Sequence, residues 1–207
     1  MKHKQRRERE KQALRDAILD AAREIASAEG WSSVSIRKIA ERIEYTPPTI
    51  YEYFDSKEAL LLALMLAGFE RLRQDMHVAR TNAPDARAGL QAITTAYWRF
   101  AQENPELYEV MYGLGGIHIE KEEAQKPPEV QAVIAEVLDA LAVWAQAEDV
   151  TLPDVTDAFQ VLWGMIHGLV TLGMSGRLVE SKGERDHTHT LLQQGLAAIL
   201  NGWRQQA

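Results

Sequence analysis

Apolar residues recur along this chain at spacings of three and four, the period of an amphipathic α-helix. From about residue 8 to Glu29, the following residues form one such apolar face: Leu14, Ile18, Ala21, Ala22 and Ile25. Gly30 follows as a helix stop, since glycine is the preferred residue after a helix end. The alternation expected of a strand is absent, so the pattern predicts an all-α protein of about nine helices.

The remaining helices follow from the same spacing and from capping residues. Ser35 is the expected N-cap of a short helix with Ile36, Ile39, Ala40 and Ile43 as its buried stripe. A long helix is expected to start after a cap at Asp55 or Ser56, and shorter ones over 86–102 and from Pro105. Further helices are predicted over 129–147, 154–176 and 187–204. Glycines, charges and prolines at 113–128 predict a flexible loop.

Residues 35–54 combine two short helices with an unusual Pro-Pro pair between them. Thr46 can cap the second helix, with Pro47 and Pro48 in its first turn, where the missing N–H groups have no helical partner. Two short helices joined by a tight turn form a helix-turn-helix, whose second helix enters the DNA major groove. The prolines therefore indicate the start of a recognition helix.

The side chains of this second helix are expected to divide between core and surface. Ile50 and Phe54, four residues apart, face the core, whereas Thr49 and Tyr53 are expected on an exposed side. A hydroxyl there, or the ammonium of Lys57, can reach a DNA phosphate. The alternative is that Tyr51 and Tyr53 are ordinary packing residues.

Charge is unevenly distributed, although the net charge of the chain is −7. Residues 1–57 carry 12 basic and 10 acidic residues, and residues 58–207 carry 11 and 20. Six bases lie in the first dozen residues, "MKHKQRREREKQ". Such asymmetry suggests a basic module on an acidic body. The basic run is either a solvated, frayed helix end or an arm that binds phosphates.

The run "SIRKIAERIEYTPPTIYEYFDSKEALL" resembles the N-terminal domain of the TetR family of transcriptional regulators. The resemblance covers roughly residues 10–70. It implies an all-helical homodimer with a DNA-binding domain over 1–57 and a ligand-binding and dimerisation domain over 58–207. By position, it implies DNA contacts from Arg37, Thr46, Pro47, Thr49, Tyr51, Tyr53 and Lys57, with Pro48 beside them.

One position departs from the family pattern, because Glu44 stands where glycine is usual in the turn. Glycine there permits a positive φ, and a glutamate in the same geometry would cost about 1 kcal/mol or more. Either the turn is reshaped, with Tyr45 part of the adjustment, or the strain is tolerated.

The second half of the chain holds the pairs Trp163-Gly164 and His167-Gly168, four residues apart. This pattern is similar to a C-terminal subtype of the family with a Trp-His-Gly motif. The resemblance implies that helices 154–176 and 187–204 pair with their twins in a dimer. An intrachain core is the alternative for these helices.

Aromatic and apolar residues of the second half are candidates for a ligand cavity, since such cavities are mostly apolar. They are Phe69, Tyr97, Trp98, Tyr108, Met111, Tyr112, Trp144, Phe159, Trp163 and His167. Ordinary core packing is the alternative for each. No compensating charge lies among them, which suggests a largely apolar ligand that is neutral or cationic.

Other functional classes find little support in the sequence. Without cysteine there is no disulfide or thiolate chemistry, which fits a reducing cytoplasm. His187 and His189 diverge by about 200° on a helix, so no metal site is expected, nor any cofactor. No hydrolase, P-loop or zinc-protease motif is present, so no enzyme is expected. No signal peptide or membrane span is expected either.

The leading hypothesis is a cytoplasmic, ligand-responsive repressor. Its dimer would place Pro47–Tyr53 in successive major grooves of a near-palindromic operator and would release DNA when a small molecule binds. The alternative is a helical dimer that acts as an interaction module and never binds DNA.

Overall fold

A computed structural model describes residues 2–114, 127–152, 154–179 and 187–206. These residues form nine α-helices and one short 3₁₀ turn, Trp31–Ser33, with no strand among them. The helices are α1 Lys2–Glu29, α2 Ile36–Arg42, α3 Pro47–Tyr51, α4 Lys57–Thr81, α5 Ala86–Glu103, α6 Pro105–Tyr112, α7 Pro128–Ala147, α8 Val155–Met174 and α9 His187–Gln206. The all-α prediction is confirmed. The predicted loop at 113–128 falls mostly on residues 115–126, which lie outside the described residues.

Helix α1 starts at Lys2, six residues earlier than the apolar pattern predicted. Residues 3–13 are all exposed, so no core supports this first part of the helix. Side chains four residues apart support it instead: Arg6 Nε donates to Glu10 at 2.7 Å, and Gln12 Nε2 donates to Asp16 at 2.7 Å. Such pairs and good helix-forming residues extend a helix without any apolar face, which a search for apolar spacing overlooks.

The chain packs as two compact units. One unit holds Met1–Gly68 and Asn104–Gln125, and the other holds Phe69–Glu103 and Lys126–Ala207. Helix α4 therefore contributes residues to both units, and α6 belongs with the N-terminal helices. These units describe packing, and the functional domains over residues 1–57 and 58–207 stay predictions.

In the first unit, α1 packs against α2 and α6, and α2 packs against α3. Its core includes Ile18, Ile39 and Ile50, each with no exposed surface. Hydrogen bonds join α1 and the 3₁₀ turn that follows it to the start of α6. Two nitrogens of Arg23, Nε and Nη2, donate to Glu106 Oε1 at 3.0 and 2.8 Å. Trp31 Nε1 donates to the backbone oxygen of Glu106 at 3.1 Å.

In the second unit, α5 packs against α7, α8 and α9, and α8 also packs against α7 and α9. Trp144 is fully buried in this unit, with Arg87 over its ring at 5.9 Å. Arg87 also binds both carboxylate oxygens of Glu148, at 2.7 and 2.8 Å. This hydrogen-bonded guanidinium lowers the pKa of Glu148 to about 2. The pair joins the start of α5 to the end of α7.

Helices α7 and α8 are, by length and composition, apolar enough to cross a membrane. The sequence pattern had suggested no such segment. Both helices pack within the second unit, and a helix with an apolar face and a polar face is ordinary in the core of a helical protein. The absence of a membrane partner stays a prediction.

Candidate functional site

Helices α2 and α3 form the helix-turn-helix of the first unit. Ser35 caps α2, because its hydroxyl accepts a hydrogen bond from the Lys38 backbone N–H at 3.3 Å. Ile39 and Ala40 are fully buried, and Ile36 and Ile43 are half-buried, so the predicted stripe of α2 is confirmed. The charged residues of α2 are exposed.

The turn between the two helices keeps its positive φ with glutamate in place of glycine. Glu44 has a φ of 61°, in the left-handed region. The Tyr45 backbone N–H donates to the Ala40 oxygen at 2.9 Å, and the Glu44 N–H donates to Glu41 at 3.3 Å. These bonds satisfy carbonyls that the end of α2 leaves unpaired. Of the two alternatives, the strain is therefore tolerated and the turn is not reshaped.

Replacing Glu44 by glycine should stabilise the protein by about 1 kcal/mol, because glycine has no Cβ to clash in the left-handed region. For a chain of this size that corresponds to a rise of about 2–4 °C in Tm, measured by thermal unfolding. Glu44→Ala is the matched control, since it removes the charge but keeps Cβ, and it should bring no such gain. An equal gain from both variants would assign the effect to charge.

The two prolines occupy the first two positions of α3, as predicted. Thr46 holds the capping position, with the extended φ of −101° and ψ of 151°, but its side chain accepts no capping bond. Its hydroxyl lies 3.3 Å from the Thr49 hydroxyl instead. Both hydroxyls therefore lie together at the N-terminal end of α3.

The predicted division of this segment between core and surface is partly confirmed. Ile50 and Phe54 are buried, at 0% and 4% exposure. Thr49 and Tyr53 are half-buried, so the prediction that both are exposed was wrong. The Phe54 N–H still donates to the Ile50 oxygen at 3.0 Å, so helical spacing continues past Tyr53, and Thr49 and Tyr53 lie at the border between the buried and exposed sides. The exposed ring is that of Tyr51, at 52%.

Cations flank α3 on both sides in sequence. Arg37 on α2 is exposed and donates to Glu41 at 2.8 Å, and this hydrogen bond raises the pKa of the Arg37 guanidinium. Lys57 is the first residue of α4. The cap of α4 is Ser56, whose hydroxyl accepts from the Ala59 N–H at 3.1 Å, which decides between Asp55 and Ser56.

Four of the predicted ligand residues come together in the second unit, at the packing of α5 against α8. The rings of Phe159 and Trp163 stack with centroids 6.5 Å apart, and those of Trp163 and His167 stack at 5.2 Å. The Tyr97 hydroxyl lies 3.1 Å from His167 Nδ1. Burial lowers the pKa of His167, which favours its neutral form. We call Tyr97, Phe159, Trp163 and His167 the aromatic cluster.

Two family descriptions match most of the chain. Residues 18–64 match bacterial regulatory proteins of the tetR family. Residues 90–199 match the tetracyclin repressor-like C-terminal domain. The chain belongs to the TetR family. The resemblance of its second half to the Trp-His-Gly subtype stays a prediction.

Curated relatives of this TetR-family chain match part of its length. The HTH-type transcriptional regulator YobS of Bacillus subtilis (strain 168) is 34% identical over 92 residues, 44% of this chain and 48% of the relative. The HTH-type transcriptional repressor KstR of Rhodococcus jostii (strain RHA1) is 36% identical over 100 residues, 47% of this chain and 45% of the relative. This chain therefore spans about half the length of the curated relatives it matches.

A solved structure, that of a protein with unknown function from Rhodococcus sp. RHA1, has the same fold over nearly the whole TetR-family chain. Its TM-score is 0.79, at 25% sequence identity, over 92% of this chain and 95% of the other.

The other predicted ligand residues have neighbours within their own units. In the second unit, Trp98 packs on the His189 ring with centroids 4.8 Å apart, and Phe69 is buried. Trp144 packs near Trp203, at 6.2 Å. In the first unit, the rings of Tyr108 and Tyr112 lie 4.8 Å apart. Met111, in the same unit, is 1% exposed.

A cleft of about 630 Å³ opens between α4 and α5 in the second unit. It is lined by Arg71, Gln74, Asp75, Val78, Ala79, Ala92, Thr95, Ala96, Arg99, Phe100 and Glu103. None of the predicted ligand residues lines it. Large apolar and aromatic side chains mark a candidate cavity in a sequence, whereas this cleft is lined mostly by alanines and by charged and polar residues.

Thr95, which lines this cleft, belongs to a hydrogen-bonded set of polar side chains that the sequence did not suggest. The Thr95 hydroxyl lies 3.0 Å from His189 Nε2 and accepts a hydrogen bond from Gln193 Nε2 at 3.0 Å. Within the described part of the chain, no three His, Asp or Glu side chains gather as metal ligands. The absence of a metal and of a cofactor stays a prediction.

Proposed function

We propose that this chain is a ligand-responsive, DNA-binding transcriptional regulator, most simply a repressor that a small molecule releases from its operator. The observation that carries the proposal is the α2–turn–α3 arrangement in a TetR-family chain. Thr46, Thr49 and Tyr51 present hydroxyl groups on a short helix whose Ile50 anchors it in the core. In known helix-turn-helix proteins, the second helix enters the major groove in this way.

The proposed DNA surface runs from α2 to the start of α4 within the first unit. Its residues are Arg37, Thr46, Pro47, Pro48, Thr49, Tyr51, Tyr53 and Lys57. Hydroxyls and cations position the protein on phosphates, and the prolines offer apolar surface to thymine methyl groups. Arg37 is bonded to Glu41, so a phosphate must compete with that carboxylate.

Lys57→Ala and Tyr53→Phe should each weaken operator binding about 10-fold, since each removes one phosphate contact in both subunits of a dimer. The measurement is a gel shift on a duplex that the wild-type chain selects from a random library. Lys38→Ala is the control, because Lys38 is an exposed lysine of α2 outside the proposed surface. Unchanged affinity in both test variants would remove these residues from the DNA contacts.

The same assay separates the regulator from an interaction module that never binds DNA. The regulator should lose affinity steeply between low and physiological salt, because binding releases counterions from the DNA. A chain that selects no sequence and shows no salt-dependent binding to any duplex would be an interaction module.

For the small molecule, we propose a largely apolar ligand, neutral or cationic, at the aromatic cluster. Three stacked rings offer apolar surface, and the Tyr97–His167 pair offers a polar position. Burial favours the neutral form of His167, so the aromatic cluster has no charged side chain that would select a ligand of opposite charge. The charge of the ligand is therefore tested directly. Dodecanol, dodecyltrimethylammonium and dodecanoate should be compared for release of operator DNA, with Tyr97→Phe as the variant. Release by dodecanoate alone would contradict the proposed class.

We further propose a homodimer through α8 and α9. Val161 and Leu172 on α8 are 54% and 41% exposed. Among the described residues, no atom from another part of the chain lies within 4 Å of a Cβ built on Gly164 or Gly168, so another helix can approach there closely. Sedimentation equilibrium should give twice the chain mass, and Gly168→Leu should shift the protein towards monomer. A monomeric wild type would exclude this interface.

We propose that the chain is not an enzyme and acts in the cytoplasm, where bacterial operator DNA is found. The family consists of regulatory proteins. A fluorescent fusion should lie over the nucleoid, and an envelope pattern would contradict this location.

A further inference from the structure

The N-terminal part of α1 has a row of basic residues on one side. Lys4, Arg7, Lys11 and Arg15 are three or four residues apart and fall within about 80° of the helix circumference. They span about 16 Å along the helix axis, at about 1.5 Å per residue. We call these four residues the basic stripe of α1.

The basic stripe continues the core-facing side of the same helix. Ile18, Ala22 and Ile25, which are buried in the first unit, fall in the same sector of the helix as the four basic residues. The stripe therefore lies on the side of α1 that faces the other helices of the unit, but it extends beyond the part that they cover. Residues 3–13 are all exposed.

One contact fixes where the stripe begins. The Arg15 guanidinium lies over the Phe54 ring, 5.1 Å from its centroid. Phe54 is itself tied to the recognition helix, because its N–H donates to the Ile50 oxygen at 3.0 Å. The stripe thus starts beside the C-terminal end of α3 and runs away from it along α1.

The basic side chains on the two sides of α1 differ in their hydrogen-bond partners. On the far side, Arg6 is paired with Glu10 at 2.7 Å, and Arg9 Nε donates to the Gln5 oxygen at 3.4 Å. On the stripe, Lys4, Arg7 and Lys11 have no carboxylate within salt-bridge distance among the described residues. An exposed helix with unpaired cations on one side fits a partner with regularly spaced negative charges.

We propose that the basic stripe of α1 is a second DNA-binding surface, which contacts backbone phosphates of the duplex flanking the site read by α3. This inference rests on the proposed DNA-binding function and extends it to DNA outside the operator core. Phosphates are the partner that fits, because the stripe adjoins the recognition helix and a duplex carries one negative charge per about 1.7 Å of axis. Phosphate contacts of this kind add affinity without reading sequence.

The test compares two double variants that remove the same charge from opposite sides of α1. Arg7→Gln with Lys11→Gln removes two stripe cations, and Arg6→Gln with Arg9→Gln removes two cations from the far side. All four side chains are exposed, and the full chain is used in each case. The probe is a duplex selected by the wild-type chain from a random library, with flanks of at least 10 base pairs, and affinity is measured as a function of salt.

The stripe variant should bind about 10-fold more weakly, and its salt slope should fall by about 0.9 for each phosphate that the variant no longer neutralises. The far-side variant should stay within about 2-fold of the wild type. The affinity ratio between the selected duplex and one with a mutated core should be the same for all three proteins. Removing the flanks up to the core should abolish the difference, because the stripe spans about 16 Å, or about 5 base pairs next to the core at about 3.4 Å per pair.

Equal affinity and equal salt slopes for the two double variants would overturn the proposed DNA-binding role of the basic stripe while leaving the proposed function intact. Failure of the wild type to select any duplex would instead overturn the proposed function. Vesicles of phosphatidylglycerol give a further arm. Weaker vesicle binding by the stripe variant, with unchanged DNA binding, would assign the surface to a membrane and reject the proposal.

Discussion

The Tyr51→Ala chain should bind its operator about 100-fold more weakly than the wild type and unfold at nearly the same temperature. Tyr51 ends the recognition helix with 52% of its surface exposed, so its ring contributes little to the core. A loss of about 1.4 kcal/mol of DNA-binding free energy in each subunit amounts to about 100-fold for a dimer. Gel shift and thermal unfolding measure the two quantities.

Tyr45 provides a matched control for this prediction. It is also an exposed tyrosine of the helix-turn-helix, at 49%, but it lies in the turn before the recognition helix. Tyr45→Ala should change affinity by less than about 5-fold, since it is outside the proposed contacts. If both variants lose the same affinity, the effect belongs to the whole surface and Tyr51 has no special role. A fall in Tm for Tyr51→Ala alone would indicate a packing role.

The Glu106→Ala chain should lose about 2–3 kcal/mol of unfolding free energy. The Glu106 side chain is 10% exposed and binds two nitrogens of Arg23, whose side chain is 33% exposed. Removing one partner of a largely buried pair leaves the other charge poorly solvated, which costs several kcal/mol in fully buried cases. The partial exposure of Arg23 reduces the expected effect. Urea unfolding followed by circular dichroism provides the measurement.

Two further variants test whether the loss of unfolding free energy comes from the Arg23–Glu106 pair. Glu106→Gln keeps an acceptor for Arg23 and should lose about half as much, since the charge alone is removed. Asp75→Ala breaks the exposed Arg71–Asp75 pair on α4 and should stay within about 0.5 kcal/mol of the wild type. If Glu106→Ala were no worse than Asp75→Ala, the bond between α1 and α6 would contribute nothing to the stability of the first unit.

Local patterns in the sequence predicted most of the helices and the recognition motif. Spacing identified the buried stripe of α2 and the anchoring role of Ile50, because these depend only on which residues share one side of a helix. Capping chemistry identified Ser35 and the position of the two prolines. The start of α1 was predicted too late, since polar pairs rather than apolar residues support its first turns.

The geometry of the turn was left open by the sequence. Glutamate at position 44 was compatible with a reshaped turn or with a strained one. The structure has the strained turn, in which the backbone N–H groups of Glu44 and Tyr45 donate to carbonyls at the end of α2. These hydrogen bonds form only when the end of α2 is folded. Thr49 and Tyr53 are similar, because spacing along one helix does not determine how far neighbouring helices cover the sides of its apolar stripe.

The all-helical fold, the place of the helix-turn-helix and the family resemblance could all be predicted from the sequence, because they depend on residue types and spacings within short segments. Which distant residues meet depends on how the helices pack. The bond from Arg23 to Glu106 and the pairing of Tyr97 with His167 join residues far apart in sequence. The contact of Arg15 with Phe54, which places the basic stripe beside the recognition helix, is of the same kind. No local period encodes such meetings, since they depend on how whole helices pack against each other.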